Sequence, residues 1–453
     1  MCGMDILSLN LQPPAQMFRR LSHWFRPAPP ITPMPAEQAA VVYPKYRWRI
    51  FEAAFMAYAL FYVVRNNFAP VSKEMGAALH YSKAMIGDIL LGTSFAYGIG
   101  KFVMGYFADR SDARKYVVAG MLLTAGLNFL FGATTNFHAH VFLWTLNGFV
   151  QGMGYGPCTR GLSHWYSARE RGTVFGFWNV SHNIGGGIAG VVAAWSAKHF
   201  GWESAFYIPG GIAVLGSAYL WWRMRDSPQS VGLPAVEDYK NDHPAGGREE
   251  HDLEFREIFL RYILPNRMLW VLAVANVFVY IARYAMLDWG PTYLKEMKGA
   301  SIMEGGFSTL LIEFAGAAGM LSMGWLSDKC GGRRGRVSVI AMIPLLGAFI
   351  GIILVPPGML WLDMVLFAVI GFFVYVPVMF SGVMSLDLTT KKAVGTAAGF
   401  VGFFGYMGRV IQSKLLGSLS ESHGWDFALW CVAGCTVAGI VLLAFLWNVR
   451  PRA

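Results

Sequence analysis

The sequence predicts an all-α membrane protein, with twelve transmembrane helices in two pseudo-symmetric six-helix bundles. Three observations predict it. The composition suits lipid rather than water, apolar runs of membrane-spanning length recur along the chain, and the two halves repeat each other.

Of 453 residues, 55% are hydrophobic and only 14% are charged. Soluble globular chains run nearer about 45–50% apolar and about 25% charged. Too few charges are present to cover a soluble surface of this size. Aromatic residues make up 15%, which excludes global disorder. The net charge is +10. A basic balance can mark a nucleic-acid partner, but membrane proteins concentrate Lys and Arg in cytoplasmic loops, so no nucleic-acid partner is expected. The five cysteines, Cys2, Cys158, Cys330, Cys431 and Cys435, contain no CxxC pair, and the four in or beside apolar segments read as small packing residues.

Residues 1–48 include the Pro-rich stretch Phe25-Arg26-Pro27-Ala28-Pro29-Pro30 and no long apolar region ahead of a cleavage site. They read as a cytoplasmic tail, with Met17 as a candidate start. Apolar runs of about 20 residues, enough to cross roughly 30 Å of hydrocarbon, then follow at 50–69, 85–107, 116–135, 140–163, 173–195 and 203–222, and again at 267–292, 306–327, 337–355, 359–385, 394–416 and 426–448. Many contain some of the 52 glycines, as close helix packing in membranes allows. The long polar segment 223–266 carries Arg223, Arg225, Asp226, Glu237, Asp238, Lys240, Asp242, Arg248, Glu249 and Glu250. The expected organisation is a tail (1–48), a six-helix bundle (49–222), a cytoplasmic linker (223–266), a second bundle (267–448) and a short tail (449–453).

Loop charges set the orientation. One side carries Arg110, Arg114 and Lys115, then Arg169 and Arg171, then Lys329, Arg333, Arg334 and Arg336, then Lys391 and Lys392. The other side has scattered lysines (Lys73, Lys83, Lys198, Lys295, Lys298), several beside acids. The basic loops and both termini are therefore expected in the cytoplasm.

The halves match in order. Gly105-Tyr106-Phe107-Ala108-Asp109-Arg110 corresponds to Gly324-Trp325-Leu326-Ser327-Asp328-Lys329, an offset of 219. Tyr62-Val63-Val64-Arg65 corresponds to Tyr280-Ile281-Ala282-Arg283, an offset of 218, and Gly172-Thr173-Val174-Phe175-Gly176-Phe177 to Gly395-Thr396-Ala397-Ala398-Gly399-Phe400, an offset of 223. Duplicated bundles of this kind make transporters, with the site near the midplane between them.

An ionisable side chain inside a span costs about 2.5–3.5 kcal/mol, which makes it a functional candidate. Arg65 falls in the outer half of the first span and Arg283 at the equivalent place in the seventh. Repeat symmetry puts both guanidiniums on one cavity from opposite bundles. Two planar forks of donors suit a multi-oxygen dianion such as phosphate. The competing reading pairs them with the buried acids Asp288 and Glu313; Arg65 has no mid-span acid in its own half, since Glu52 stands near the start of its span. Lys101 either faces the cavity or snorkels to the nearby interface. His182, crowded by Asn179, Ser181 and Asn183, can donate to phosphate and titrate between its anionic forms. Tyr58, Tyr62, Tyr97, Tyr280, Tyr375 and Tyr406 are weaker candidates. Tyr62 and Tyr280 gain weight by standing three residues before an arginine. Asp109 with Arg110, and Asp328 with Lys329, are expected at a cytoplasmic gate.

The repeated G-x-x-x-D-R/K loops resemble the signature of the major facilitator superfamily. Within it, the chain resembles the organophosphate:phosphate antiporters over nearly its whole length. The runs that carry this are Trp24 to Pro29, Tyr62-Val63-Val64-Arg65-Asn66-Asn67-Phe68, Tyr97 to Phe102, Gln151-Gly152-Met153-Gly154, Trp178 to Gly187, Asn276 to Tyr280 with Arg283, Asp288-Trp289, and Lys391 to Phe400. The resemblance implies that Arg65 and Arg283 bind phosphate, with Lys101, His182, Tyr58, Tyr62, Tyr97, Tyr280, Tyr375 and Tyr406 lining the site. The linker run Glu237 to Pro244, Tyr375 and the uncharged stretch up to Tyr406 resemble glycerol-3-phosphate antiporters. Phe175 to Asn183 is closer to hexose-6-phosphate antiporters, and a hexose-phosphate sensor branch shares Gln151-Gly152 and the arginine pair. Two residues depart from these relatives: Arg409, where they carry a small residue, and Val376, where they carry Gly. Arg409 either adds an anion contact or pairs with a carboxylate.

The expectation is therefore a monomeric antiporter of the bacterial inner membrane. It would exchange a small organic phosphate, glycerol 3-phosphate first, for inorganic phosphate. No nucleophile–base pair, metal cluster or phosphate-binding glycine loop stands in the sequence, so neither an enzyme nor a cofactor is expected. Proton-driven sugar symport is disfavoured, because the first half lacks a mid-span carboxylate.

Overall fold

The computed structural model describes residues 24–242, 259–329, 333–389 and 394–449. The candidate start at Met17, Arg248, Glu249 and Glu250 of the linker, and Lys391 and Lys392 lie outside them. Twelve long helices run in order: α1 (Ala36–Val63), α2 (Lys83–Asp109), α3 (Ala113–Ala133), α4 (Phe137–Trp165), α5 in two segments (Ala168–Asn179 and Ser181–Phe200), α6 (Ser204–Arg223), α7 (Arg267–Met297), α8 (Ile302–Lys329), α9 (Arg334–Leu354), α10 (Leu360–Asp387), α11 (Val394–Ser422) and α12 (Trp425–Ala444). Six of them, α3, α7, α8, α9, α10 and α12, are long and apolar enough to cross a membrane by length and composition. Several of the others are diluted by polar residues, among them Lys101 on α2, Arg160 on α4 and Arg409 on α11.

The first six helices pack as one bundle and the last six as another. The bundles meet through α2 against α11 and α5 against α8. Small residues allow close approach where backbones touch. A Cβ on Gly100 of α2 would lie 2.5 Å from the Phe149 carbonyl oxygen of α4, so only glycine fits there.

One helix begins and ends where periodicity did not place it. α1 starts at Ala36, well before the apolar run at 50, and includes Pro44. It stops at Val63, so Arg65 lies just past the helix rather than within it. Pro70 lies seven residues past the end of α1, within a short 3-10 turn at Ala69–Val71. The chain turns through residues 64–68 and resumes as a short helix at Ser72–Leu79. Backbone groups freed inside a membrane need partners. Asn128 of α3 and Asn147 of α4 donate side-chain amides to the Val64 carbonyl, at 3.1 and 3.3 Å. Asn67 of the turn is in turn held by Asn128 Oδ1 at 2.9 Å and the Ala205 carbonyl at 2.8 Å.

The two ends of the molecule differ. At the end away from the basic loops, bonds cross between the bundles: Ser72 Oγ to Thr292 Oγ1 at 2.9 Å, Lys295 to Glu74 at 2.6 Å, Lys83 to Glu296 at 2.9 Å and Lys414 to Asp88 at 2.5 Å. Further bonds between the bundles lie at mid-depth, Ser94 Oγ to Ser413 Oγ at 3.4 Å and Asn183 to Glu313 at 2.9 Å. The basic end is tied within single bundles instead. Asp226 accepts from the backbone N–H groups of Ala28 and Ala113 and pairs with Arg160 at 3.1 Å. Tyr239 stacks on Tyr43 at 3.9 Å, and Glu170 binds both Arg47 and Lys240. The first part of the linker is thereby bound to the first bundle.

Candidate functional site

Arg65 and Arg283 face one cavity between the bundles, lined also by Tyr62, Asn66, Thr93, Trp144, Tyr284, Asp288, Thr309, Glu313 and Arg409. The chamber is tight, with a free volume of about 20 Å³. The arginines are 5% and 6% exposed. Neither has a carboxylate within ion-pairing distance among the described residues, and the Nε of each is buried without a partner. Tyrosine rings hold them instead. The Arg65 guanidinium sits 3.9 Å over Tyr62 and 4.6 Å over Tyr97. That of Arg283 sits 4.2 Å over Tyr375 and 5.0 Å over Tyr284. A desolvated cation–π contact contributes about 2 kcal/mol, and insertion of the charge costs about 3. Two rings per arginine can offset that cost while the positive charge stays free for a ligand.

The aromatic groups form two arcs between the arginines. One passes from Tyr62 to His182 at 5.3 Å and on to Tyr375 at 6.0 Å. The other passes from Tyr97 to Tyr406 at 5.2 Å and on to Tyr280 at 5.7 Å. Tyr58 backs the first arc, stacked on Trp178 at 4.7 Å and edge-on to Tyr62 at 5.3 Å. Lys101 points inward: its Nζ lies 4.6 Å over Tyr155 and 5.8 Å over both Tyr97 and Tyr406. Its amine is turned toward the tyrosines between the bundles. The predicted tyrosines, His182 and Lys101 are thus gathered around the two arginines.

His182 stands two residues past the break in α5 at Val180. Its Nδ1 is bonded to the Asn179 carbonyl. A carbonyl only accepts, so Nδ1 carries the proton and Nε2 is left to face a ligand. In the neutral ring Nε2 accepts; in the charged ring it donates.

The two buried acids are already engaged. Glu313, fully buried on α8, accepts from Tyr375 OH at 2.5 Å and from Asn183 Nδ2 of the opposite bundle at 2.9 Å. Tyr375 in turn accepts from Arg283 Nη2 at 3.0 Å, so Glu313 reaches Arg283 only through a hydroxyl. Glu313 Oε1 rests on Gly186, where a Cβ would stand 2.7 Å away. Asp288 pairs with Arg409 Nη2 at 3.1 Å and accepts from Gln412 at 2.9 Å. The reading that Asp288 neutralises Arg283 is thereby replaced: its partner is Arg409.

The sequence profile of the Major Facilitator Superfamily matches residues 54–413. The chain belongs to the major facilitator superfamily. It is 39% identical to a glycerol-3-phosphate transporter of Bacillus subtilis over 95% of this chain and 98% of that one. It is 38% identical to a probable hexose phosphate transport protein of Chlamydia pneumoniae, over 92% and 95%. Its fold resembles a bacterial homologue of the human lysosomal transporter Spinster in an inward-facing, occupied conformation. The TM-score is 0.72, with 15% identity over 89% of this chain and 97% of that one. The relatives match the organophosphate:phosphate antiporter resemblance drawn from the motifs. The protein is an integral membrane transporter of this superfamily and not an enzyme.

Among superfamily members the loop signature belongs to the ends of α2 and α8. Here Arg110 folds back over Tyr106 at 3.8 Å and donates to the Tyr106 carbonyl, while Lys329 lies over Trp325 at 3.8 Å. Asp109 borders a polar pocket with Arg160, Ser163 and His164. The Asp328 side chain is outside the described set. No bond across the bundles joins Asp109, Arg110 or Lys329 among the described residues, as a molecule closed at the distal end requires.

Sequence reasoning missed Tyr155, which faces Lys101, and Tyr284, which separates Arg283 from Arg409 at 5.0 and 4.0 Å. Tyr284 stands four residues after Tyr280, on the same helical face, and that spacing was the available signal.

Proposed function

We propose that the protein is a secondary antiporter of the bacterial inner membrane. It imports an organic phosphate, glycerol 3-phosphate first, in exchange for inorganic phosphate by alternating access. The observation that carries this reading is the pair of buried guanidiniums on opposite bundles, held by rings and not by carboxylates. Phosphate bridges Arg65 and Arg283, screens their repulsion and draws the bundles together. His182 Nε2 and Lys101 supply further polar contacts, and Tyr375 fixes the fork of Arg283. The basic end, with both termini, faces the cytoplasm. With the distal end bonded shut, the site then opens toward the cytoplasm.

A vacant site holds two like charges whose approach is unfavourable in a low dielectric. The empty carrier therefore reorients poorly, and transport becomes exchange. The test is reconstitution as a monomer in phosphate-loaded liposomes, with labelled glycerol 3-phosphate outside. Uptake is expected to require internal phosphate or another phosphorylated counter-substrate; uptake into empty liposomes would sink the exchange mechanism. Arg65→Lys and Arg283→Lys should each cut uptake by about a hundredfold, because lysine is a point charge without the fork. Near-normal uptake by either variant would overturn the phosphate clamp.

Two further readings place hexose 6-phosphate in the same site, as cargo or as the ligand of a sensor. Competition of phosphate exchange by glycerol 3-phosphate against glucose 6-phosphate separates the first. Ligand binding without counterflow would favour the second.

A further inference from the structure

The cavity contains a third guanidinium that the phosphate clamp does not require. Arg409 of α11 is 5% exposed and lines the same chamber as Arg65 and Arg283. Its Nε and Nη2 turn to Asp288, at 3.4 and 3.1 Å, and its plane lies 4.0 Å over Tyr284. The remaining corner of the fork, Nη1, is buried and has no partner. Two other groups of the chamber wall are in the same condition, Thr309 Oγ1 and Glu313 Oε1. A buried donor or acceptor left unpaired is costly, more so when it is charged. One chamber thus offers an unsatisfied charged donor, an unsatisfied acceptor and a hydroxyl able to act as either.

We infer that Arg409 Nη1 is the recognition point for an uncharged oxygen, a hydroxyl, on the organic part of the transported phosphate ester. This rests on the reading of Arg65 and Arg283 as the phosphate clamp. The charge of the wall decides for a hydroxyl over a carboxylate. Three guanidiniums face two carboxylates there, and Lys101 stands beside them, an excess of two positive charges. A phosphate dianion already balances that excess. A ligand carboxylate would add negative charge beside Asp288 and Glu313 in a buried space. Arg409 brings no net charge, because Asp288 cancels it; what it adds is a directed N–H. A hydroxyl accepts from Nη1 and keeps its own O–H to donate to an acceptor of the same wall, such as Glu313 Oε1 or Thr309 Oγ1.

The test compares three competitors of labelled phosphate exchange in proteoliposomes: glycerol 3-phosphate, propyl phosphate and 3-phosphoglycerate. The readout is the ratio of their half-inhibitory concentrations. The wild type should prefer glycerol 3-phosphate over propyl phosphate by about tenfold or more, since a site built to bond a hydroxyl rejects the analogue lacking it. Two variants then probe the residue. Arg409→Lys keeps a cation for Asp288 but removes the fork. Arg409→Leu combined with Asp288→Leu removes the buried pair together, which folding tolerates better than removal of one partner. In either variant the ratio should fall toward one. An unchanged ratio would overturn the inference while leaving the clamp intact. A wild-type preference for 3-phosphoglycerate that disappears in the variants would overturn it in favour of a carboxylate subsite. Absence of phosphate exchange in the wild type would remove the clamp itself, and this inference with it.

Discussion

The side-chain amide of Asn128 donates to the carbonyl of Val64, 3.1 Å away, one residue before Arg65. The same Asn128 accepts from Asn67 two residues after Arg65. The buried arginine of the first bundle is therefore carried on a turn whose two sides are pinned by one asparagine of α3. Asn128→Leu should lower the melting temperature in detergent and cut uptake at low substrate by about tenfold. A lost buried hydrogen bond of this kind costs about 1–3 kcal/mol. Asn147→Leu, which removes the longer 3.3 Å bond, should have the smaller effect. Equal, near-zero effects of the two would dissociate the turn from the position of Arg65.

Tyr375 gives a second handle, because its ring and its hydroxyl have different duties. The ring stacks on Arg283, and the hydroxyl links Arg283 to Glu313. Tyr375→Phe keeps the stack and loses the link, so the apparent affinity for phosphate should weaken about five- to thirtyfold. Tyr375→Ala loses both and should weaken it further. Concentration-dependent counterflow separates the two, and indistinguishable variants would assign the residue to packing alone.

Cross-linking tests the closed distal end. Ser72 Oγ and Thr292 Oγ1 are 2.9 Å apart across the bundles. Ser72→Cys with Thr292→Cys, in a background free of other cysteines, should form a disulfide under mild oxidation. Exchange should stop and return with reductant. Cross-linking that leaves the exchange rate intact would show that this end need not open.

Close packing of α2 and α4 can be checked by two glycines. Gly152 faces the backbone of Gly100 with no room for a Cβ, whereas nothing lies within 4 Å of a Cβ on Gly126. Gly152→Ala should destabilise by about 1–3 kcal/mol through overpacking. Gly126→Ala should be neutral or stabilise by about 0.5–1 kcal/mol, since alanine is the better helix former. Thermal unfolding in detergent measures both; a reversed order would contradict the contact.

Arg65 and Arg283 were legible in the sequence because the cost of charge in a membrane and the repeat offset point to the same two residues. Six of the helices were legible through length and apolarity alone. The break after Val63 was not, because no helix-breaking residue stands at it and its stabilising amides come from α3 and α4. Nor was the partner of Asp288, since pairing with Arg409 depends on how α7 meets α11, and no periodicity encodes that. Tyr155 and Tyr284 were hidden for another reason: in a chain with 19 tyrosines, lipid interfaces and packing explain most of them equally well.

The lattice of bonds at the distal end also bears on what an idle molecule does to its membrane. With Lys295 buried against Glu74 and the Pro70 carbonyl, and Lys83 and Lys414 tied across the seam, a vacant chamber has a floor but no drain. On the proposed exchange mechanism, ions would meet there a wall of fixed cations and hydrogen bonds, not a pore. A membrane crowded with resting copies would then keep its electrical potential, since only a bound anion would let the seam part.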